Sequence, residues 1–426
     1  MKIRNFYVVV LALIAVIMTS KSTSSSTTKY LNPPDRLIYS AFTGLHMHRA
    51  ATTTPWPNVP FGSWRLWDAY AAWPWLEPKK GAWKFQNLDR LVALAEKNGV
   101  EVLIPLGLSP KWASARPDEK SSYSPGFAAE PENLDDWRNY VRKVGSRYKG
   151  RVRYYEIWNE PNLPGFYSGT VEQMIILTKE ASRILKDIDS TIILVSPSAT
   201  DVNNGTGWLD KFLAKGGGKY VDVIGYHFYV SPAPPEEMIP LINKVKHIMT
   251  KHGLSEKPLW NTEVGWFIEN RLTEVKSEGS GFRGKVLTED EASAYIARTF
   301  LLNWASGVER VYWYAWDNGL LGLTEADGKT VKSPAGAFAL MYTWLTGARM
   351  RSCMSDSNGT WSCVLTRDNG YVGRIIWNPD QNLSYVLRKT WNVKYVRDLK
   401  GGRRILKNAT TIQVGPSPVI LENLRL

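Results

Sequence analysis

Two glutamates fall where strands end. Glu160 closes the run Tyr154-Tyr155-Glu156-Ile157-Trp158-Asn159-Glu160-Pro161, and Glu263 closes Leu259-Trp260-Asn261-Thr262-Glu263. A lone glutamate at a strand end is usually a solvated loop residue. Two of them, each in an aromatic and asparagine-lined setting, call for a function. Paired carboxyl groups suit cleavage of a glycosidic bond: one protonates the leaving oxygen and the other attacks the anomeric carbon. Pro161 stops the strand directly after Glu160 and would fix its backbone.

The elements that must position this pair repeat regularly. Eight strand-like runs, Leu37–Phe42, Trp64–Trp67, Val102–Leu106, Val152–Trp158, Ile192–Val195, Val223–Tyr229, Pro258–Thr262 and Val311–Tyr314, alternate with amphipathic helical stretches. In one of these, Trp137, Tyr140, Val141, Val144 and Tyr148 recur at helical spacing behind Asn133, a plausible N-cap. Eight strands alternating with helices over about 300 residues predict a (β/α)8 TIM barrel. A doubly wound sheet would need a Gly-rich phosphate loop after its first strand, and none is present. Reacting groups of a barrel sit at the C-terminal ends of strands, and the fourth and seventh strands face each other across its mouth.

Beyond Leu345 the pattern shortens. Alternating runs such as Trp361–Thr366, Tyr371–Trp377 and Thr411–Val414, separated by turns such as Asn358-Gly359 and Gly401-Gly402, predict a C-terminal β-sandwich. The expected division is 1–30, a leader with a Ser/Thr-rich stretch; 31–346, the barrel; and 347–426, the sandwich. Cys353 and Cys363 flank one turn. A three-residue loop with Gly359 left-handed puts them opposite each other, so an exported chain would join them; two free thiols are the alternative.

Composition narrows the class further. The chain is 44% hydrophobic and 22% charged, as a soluble globular protein should be, and its 19 Trp and 20 Tyr beside 12 Phe favour surfaces that stack on wet, ring-shaped ligands. Of the net charge of +13, residues 347–426 carry +8 and residues 31–346 about +1. The sandwich is therefore the candidate dock for an anionic polymer or surface; no nucleic-acid partner is implied. Lys2 and Arg4 precede an apolar run, Phe6–Met18, too short to span a bilayer and right for an export signal. An uncleaved N-terminal anchor is the alternative.

The quoted motifs resemble a known group. Asn159-Glu160-Pro161 on the fourth strand and Glu263 on the seventh look like clan A of the glycoside hydrolases. Trp64-Arg65-Leu66-Trp67-Asp68, Trp75-Leu76-Glu77-Pro78, Gly81, Leu88-Asp89 and Trp112-Ala113-Ser114 look like its family 39, which includes xylosidases and exopolysaccharide-degrading enzymes. The resemblance covers about residues 36–345. It implies a retaining β-glycosidase without cofactor or metal, with Glu160 as acid/base and Glu263 as nucleophile. It further implies Asn159 on the sugar 2-hydroxyl, Arg65 holding Glu263 ionised, His227 and Tyr229 orienting the carboxylates, and Trp313 as the floor under the cleaved sugar. Trp316 ranks below Trp313, because it points the other way on a regular strand. The substrate expected is a polysaccharide or oligosaccharide, with an exopolysaccharide first and exo-trimming of β-xylosides second.

Two rival readings fit the residues less well. His46-x-His48, His227 and Asp317 partly resemble the metal site of amidohydrolase barrels, but the fifth run has no His and the fourth no Lys. His46 and His48 are better read as subsite lining or packing. A non-catalytic carbohydrate-binding barrel would not need both glutamates.

Overall fold

The computed structural model describes residues 28–275, 285–407 and 409–425. Residues 1–27 of the expected 1–30 leader lie outside them. The chain enters through β1 (Lys29–Leu31) and lays down β2 (Thr43–His46), β3 (Ser63–Arg65), β4 (Glu101–Leu106), β5 (Tyr154–Ile157), β6 (Ile193–Val195), β7 (Ala199–Thr200), β8 (Ile224–His227), β9 (Leu259–Val264) and β10 (Val308–Trp313). From β2 onward these pair in parallel in the order β6-β5-β4-β3-β2-β10-β9-β8-β7. A bridge between Val195 and Val223 joins β6 to the entry of β8 and closes the ring.

Helices α1 (Trp73–Leu76), α2 (Gln86–Lys97), α3 (Leu134–Arg147), α4 (Val171–Ile188), α5 (Gly205–Ala214), α6 (Met238–Lys251), α7 (Glu289–Ala305) and α8 (Pro334–Leu345) lie between and after the strands. Their starts follow from local chemistry. The Asn133 side chain accepts the Asp135 amide at α3, and capping boxes Thr170/Gln173 and Thr288/Glu291 open α4 and α7.

The first strand lies later than the apolar run predicts. Ser40–Phe42 form a 3-10 turn, and Phe42 packs edge-on against Phe300 and Trp304 outside the barrel. The strand itself is Thr43-Gly44-Leu45-His46. Gly44 is needed there because a Cβ would lie 2.6 Å from the Tyr312 ring. That ring, with Leu103, Val195, Val223 and Trp260, plugs the lower barrel, and Arg310 is sandwiched between Tyr154 and Trp260 at 4.2 and 4.3 Å. With the lower barrel filled, polar groups occupy the layer above.

The second sheet is antiparallel. It contains β11 (Arg349–Ser355), β12 (Trp361–Thr366), β13 (Val372–Trp377), β15 (Tyr395–Arg397), β16 (Arg403–Ile405) and β18 (Val419–Glu422), and a two-stranded layer of β14 (Leu383–Val386) and β17 (Thr411–Val414) faces it. Cys353 stands opposite Cys363 in the β11–β12 register, Gly359 has φ +77°, and the two sulfurs are bonded. Two features depart from the expected division. β1 pairs antiparallel with β11, so residues assigned to the leader and the barrel form the sheet's edge. The sandwich also shares one hydrophobic core with the barrel: Trp361, Leu365, Ile375 and Trp377 belong to the same buried cluster as the barrel helices. Trp377 donates to Glu236 at 2.9 Å, and Arg367 to the Thr346 carbonyl at 2.6 Å.

A shared core makes unfolding one event. Heating should give a single transition with coincident near-ultraviolet circular dichroism and Trp fluorescence, and a chain ended at Thr346 should fail to fold. Two separated transitions would show instead that the sandwich is autonomous.

Candidate active site

The mouth of the barrel is organised by one buried cation. Arg65, at the end of β3, is fully buried. It grips Glu156 of β5 through Nε–Oε2 at 2.6 Å and Nη2–Oε1 at 3.1 Å. Its Nη1 donates to Glu263 Oε2 at 2.9 Å, and its Nη2 to Asn159 Oδ1 at 2.7 Å. Asn159 is thereby oriented: its oxygen is taken, so its amide donors are turned to other partners.

The two glutamates differ in their partners. Glu263 receives Arg65 and the Tyr229 hydroxyl, the latter at 2.8 Å on Oε1. Among the described residues Glu160 meets His227 Nδ1 at 3.0 Å and no guanidinium. One oxygen from each glutamate and one His227 ring nitrogen all lie within 4.8 Å of one another. That is below the roughly 6.5–9.5 Å of inverting pairs. The same three groups have the reach of a metal site, but the fixed charge of Arg65 at 2.9 Å from Glu263 opposes a cation there.

Burial pushes both carboxyls up to about 7. Arg65 opposes this at both, and at Glu263 it does so through a direct hydrogen bond. The charge of Asp68 adds to the upward push. His227 is driven down to about 4 by burial, with the Glu263 carboxylate pulling it back up and the His227 charge in turn lowering Glu263. The arrangement leaves Glu263 the better-stabilised anion and Glu160 the better proton holder.

Backbone strain aims these groups. Trp158 and Glu160 adopt left-handed φ of 56° and 44°, the latter directly before a proline, where extended backbone is normal. The turn sends the Trp158 side chain into the core beside Trp137 and Tyr167 and returns Asn159 and Glu160 to the mouth.

Not every expected residue reaches the site. Trp313 is wholly buried outside the cavity, stacked on Trp266 at 5.9 Å, and Trp316 lies in the same core. The inward face of β10 runs Arg310, Tyr312, Tyr314, so Trp313 points away and Tyr314 lines the cavity. Trp266 forms the wall expected of Trp313. His46 is fully buried, its Nε2 3.1 Å from the Thr262 carbonyl, while His48 lies on a neighbouring cavity beside Asp317. Trp112 packs against Trp73.

Four site residues escape the sequence argument: Glu156, Asp68, Tyr123 and Tyr314. Glu156 had a usable signal, being a charge in the middle of an apolar strand. Asp68 accepts Tyr314 at 2.6 Å and also Tyr123, and all three line the cavity with both glutamates. That cavity, about 240 Å³, is walled by Trp67, Phe166, Trp266 and Leu321 among others.

Comparison with known proteins places the chain. The model of glycosyl hydrolases family 39 matches residues 75–385. A β-xylosidase of Caldicellulosiruptor saccharolyticus is 30% identical over 345 residues, 75% of this chain and 68% of that protein. A β-xylosidase of Geobacillus stearothermophilus is 25% identical over 210 residues, 43% of this chain and 41% of that one. The solved family 39 glycoside hydrolase from Bacteroides cellulosilyticus WH2 superposes with a TM-score of 0.67 at 20% identity, over 85% of this chain and 75% of that chain.

The raised carboxyls have a sign for stability. In the unfolded chain both titrate near 4.5; in the fold both titrate near 7. Between those values the folded protein holds protons that the unfolded chain releases. Their contribution is full below about pH 4.5 and is lost as pH rises through about 7. Glu160→Gln should therefore raise Tm by a few degrees at pH 8, with the gain vanishing by pH 4.5 in thermal melts. An equal Tm change at both pH values would refute it.

Proposed function

The chain belongs to glycosyl hydrolases family 39, the retaining glycoside hydrolases named above, and from that premise we propose that it cuts β-glycosidic bonds of a polysaccharide, with Glu263 as nucleophile and Glu160 as acid/base. The observation that carries the assignment is the asymmetry of partners: Arg65 and Tyr229 both donate to Glu263 and neither to Glu160.

Glu263 attacks the anomeric carbon while Glu160 gives its proton to the departing oxygen, leaving a glycosyl ester on Glu263. The ester removes the Glu263 charge and leaves more of Arg65's field unopposed, which lowers Glu160. Glu160, now a carboxylate, takes a proton from the water that attacks the same carbon, and Glu263 departs. Two inversions return the starting anomer. Asn159, its oxygen held by Arg65, offers its amide hydrogens to the sugar 2-hydroxyl.

The polysaccharide substrate, with an exopolysaccharide as the first class to test, is supported by the aromatic walls of the cleft. A second reading, exo-trimming of β-xylosides, is favoured by the names of two relatives, both β-xylosidases. Sizing the products from a polysaccharide panel separates them: single xylose units mean exo action, and oligosaccharides mean internal cuts. The Cys353–Cys363 bond supports work in an oxidising, extracytoplasmic compartment.

The basic sandwich surface remains our proposed dock for an anionic polymer. Arg397 and Lys400 are engaged by Glu422 and Asp290. Arg388, Lys389, Lys394, Arg403, Arg404 and Lys407 supply the rest of the positive charge in this stretch. Retention on an acidic polysaccharide should fall steeply between about 0.1 and 1 M salt, and charge reversal at Arg404 should weaken it. Salt-insensitive retention would leave solubility as the role of that charge.

Stereochemistry and paired variants test the chemistry. Proton NMR of an early time course should show the substrate's own anomer first. Glu263→Gln should abolish turnover of every substrate. Glu160→Ala should cost roughly 10²–10⁴-fold on poor leaving groups and far less for glycosyl transfer from an aryl glycoside of a very acidic phenol. Equal losses of that first step in both variants would mean the roles are misassigned.

A further inference from the structure

A second cavity, about 390 Å³, adjoins the catalytic one. It shares Asp68, Tyr123, Tyr314 and Asn318 with the first and continues to His48, Arg49, Tyr70, Trp75 and Asp317. A sugar spanning the two would cross one hydrogen-bonded set, the Asp68 carboxylate with both tyrosine hydroxyls on it.

Its position relative to Glu160 decides which sugar it takes. Glu160 must touch the oxygen linking the cleaved unit to its leaving group, so the leaving group lies on the β5 side. The second cavity is built from segments after β2, β3, β4 and β10, with no residue from β5, β6 or β8. It therefore lies on the glycone side, beyond the unit that becomes bonded to Glu263.

The rim is shaped for a ring. Tyr70 is 56% exposed, held by an edge contact to Trp75 at 5.7 Å, while Asn87 Nδ2 donates to the Tyr70 carbonyl at 3.2 Å. An aromatic ring left open but fixed in place is a stacking platform. His48 Nε2, on the same wall, has no protein partner among the described residues. The charges favour a neutral ligand: Arg49 is engaged by Asp317, its Nη2 donating to that residue's carbonyl at 2.7 Å, which leaves the Asp68 carboxylate facing the cavity with no cation paired to it among the described residues.

We infer that this cavity is a subsite for a neutral sugar preceding the cleaved unit on the glycone side, so that the enzyme works on chains rather than on single terminal residues. The inference rests on the retaining glycosidase reading above.

The test uses matched 4-nitrophenyl β-glycosides and β-1,4-biosides of xylose, glucose and mannose on the intact protein. For the sugar that is released, kcat/KM on the bioside should exceed that on the monoside by about tenfold or more. Tyr70→Asn, which removes the ring and tolerates the left-handed φ of 55°, should lower the bioside value more than the monoside value and so shrink the ratio. A bioside whose outer unit is a glucuronic acid should lose the advantage. Equal or better turnover of monosides by the unmodified enzyme would overturn the subsite, as would a ratio that Tyr70→Asn leaves unchanged, or an undiminished acidic bioside. Release from none of the probes would overturn the glycosidase reading itself, and the subsite with it.

Discussion

Everything at the mouth of this barrel depends on the Arg65 guanidinium being buried away from bulk solvent. An ion taken out of solvent costs several kcal/mol unless its donors are matched. Here the matching falls to two carboxylates and one carboxamide, drawn from β5, the turn after it, and β9. The bidentate pair with Glu156 neutralises the charge within the barrel wall. What is left of the cation's field falls on Glu263, and what is left of its hydrogen bonding falls on Asn159. One buried charge thereby fixes an orientation, favours the charged form of one carboxyl against its burial, and ties together strands on opposite sides of the ring. A lysine would keep the charge and lose the planar fork that reaches all three.

Much of this was legible in the residues. Glu160, Glu263 and their place at strand ends follow from apolar strand-like runs, one of them stopped by Pro161, and from the alternation of elements. The C-terminal strands were visible because turn residues punctuate them. What the sequence hid has physical causes. The first strand was obscured because Phe42 and Ile38 are apolar for the sake of helix packing outside the barrel, whereas the strand proper carries a glycine that makes room for Tyr312. Trp313 drew attention as an aromatic at a strand end, yet its neighbours Arg310 and Tyr312 already set the inward parity that belongs to Tyr314. Asp68 sits in a loop, and its two tyrosine partners come from segments far apart in the chain, so no local spacing marks it.

The strain in the backbone is also placed with purpose. Of the eight non-glycine residues at positive φ among the described residues, Asp68, Tyr70, Trp158 and Glu160 line or flank the two cavities. Such conformations persist only where surrounding packing overdetermines them. The hydrogen bond from the Glu160 amide to the Ser198 carbonyl and the Asn87 grip on Ala69 and Tyr70 are the visible restraints. Rigid elements thus carry the charge network, and pinned turns carry the surfaces that meet the sugar.

The pairing of β1 with β11 sets an order of events in the life of the chain. Lys29–Leu31 leave the ribosome early, whereas their partners, Cys353–Ser355, emerge more than 300 residues later. Until then the outer edge of the second sheet cannot exist, and the apolar barrel face that packs on Trp361 and Trp377 stays open. A chain delivered from its N-terminus therefore has a late, concerted closure in place of domain-by-domain completion. Helpers that shield hydrophobic surface during synthesis or transport would have their longest task at that seam.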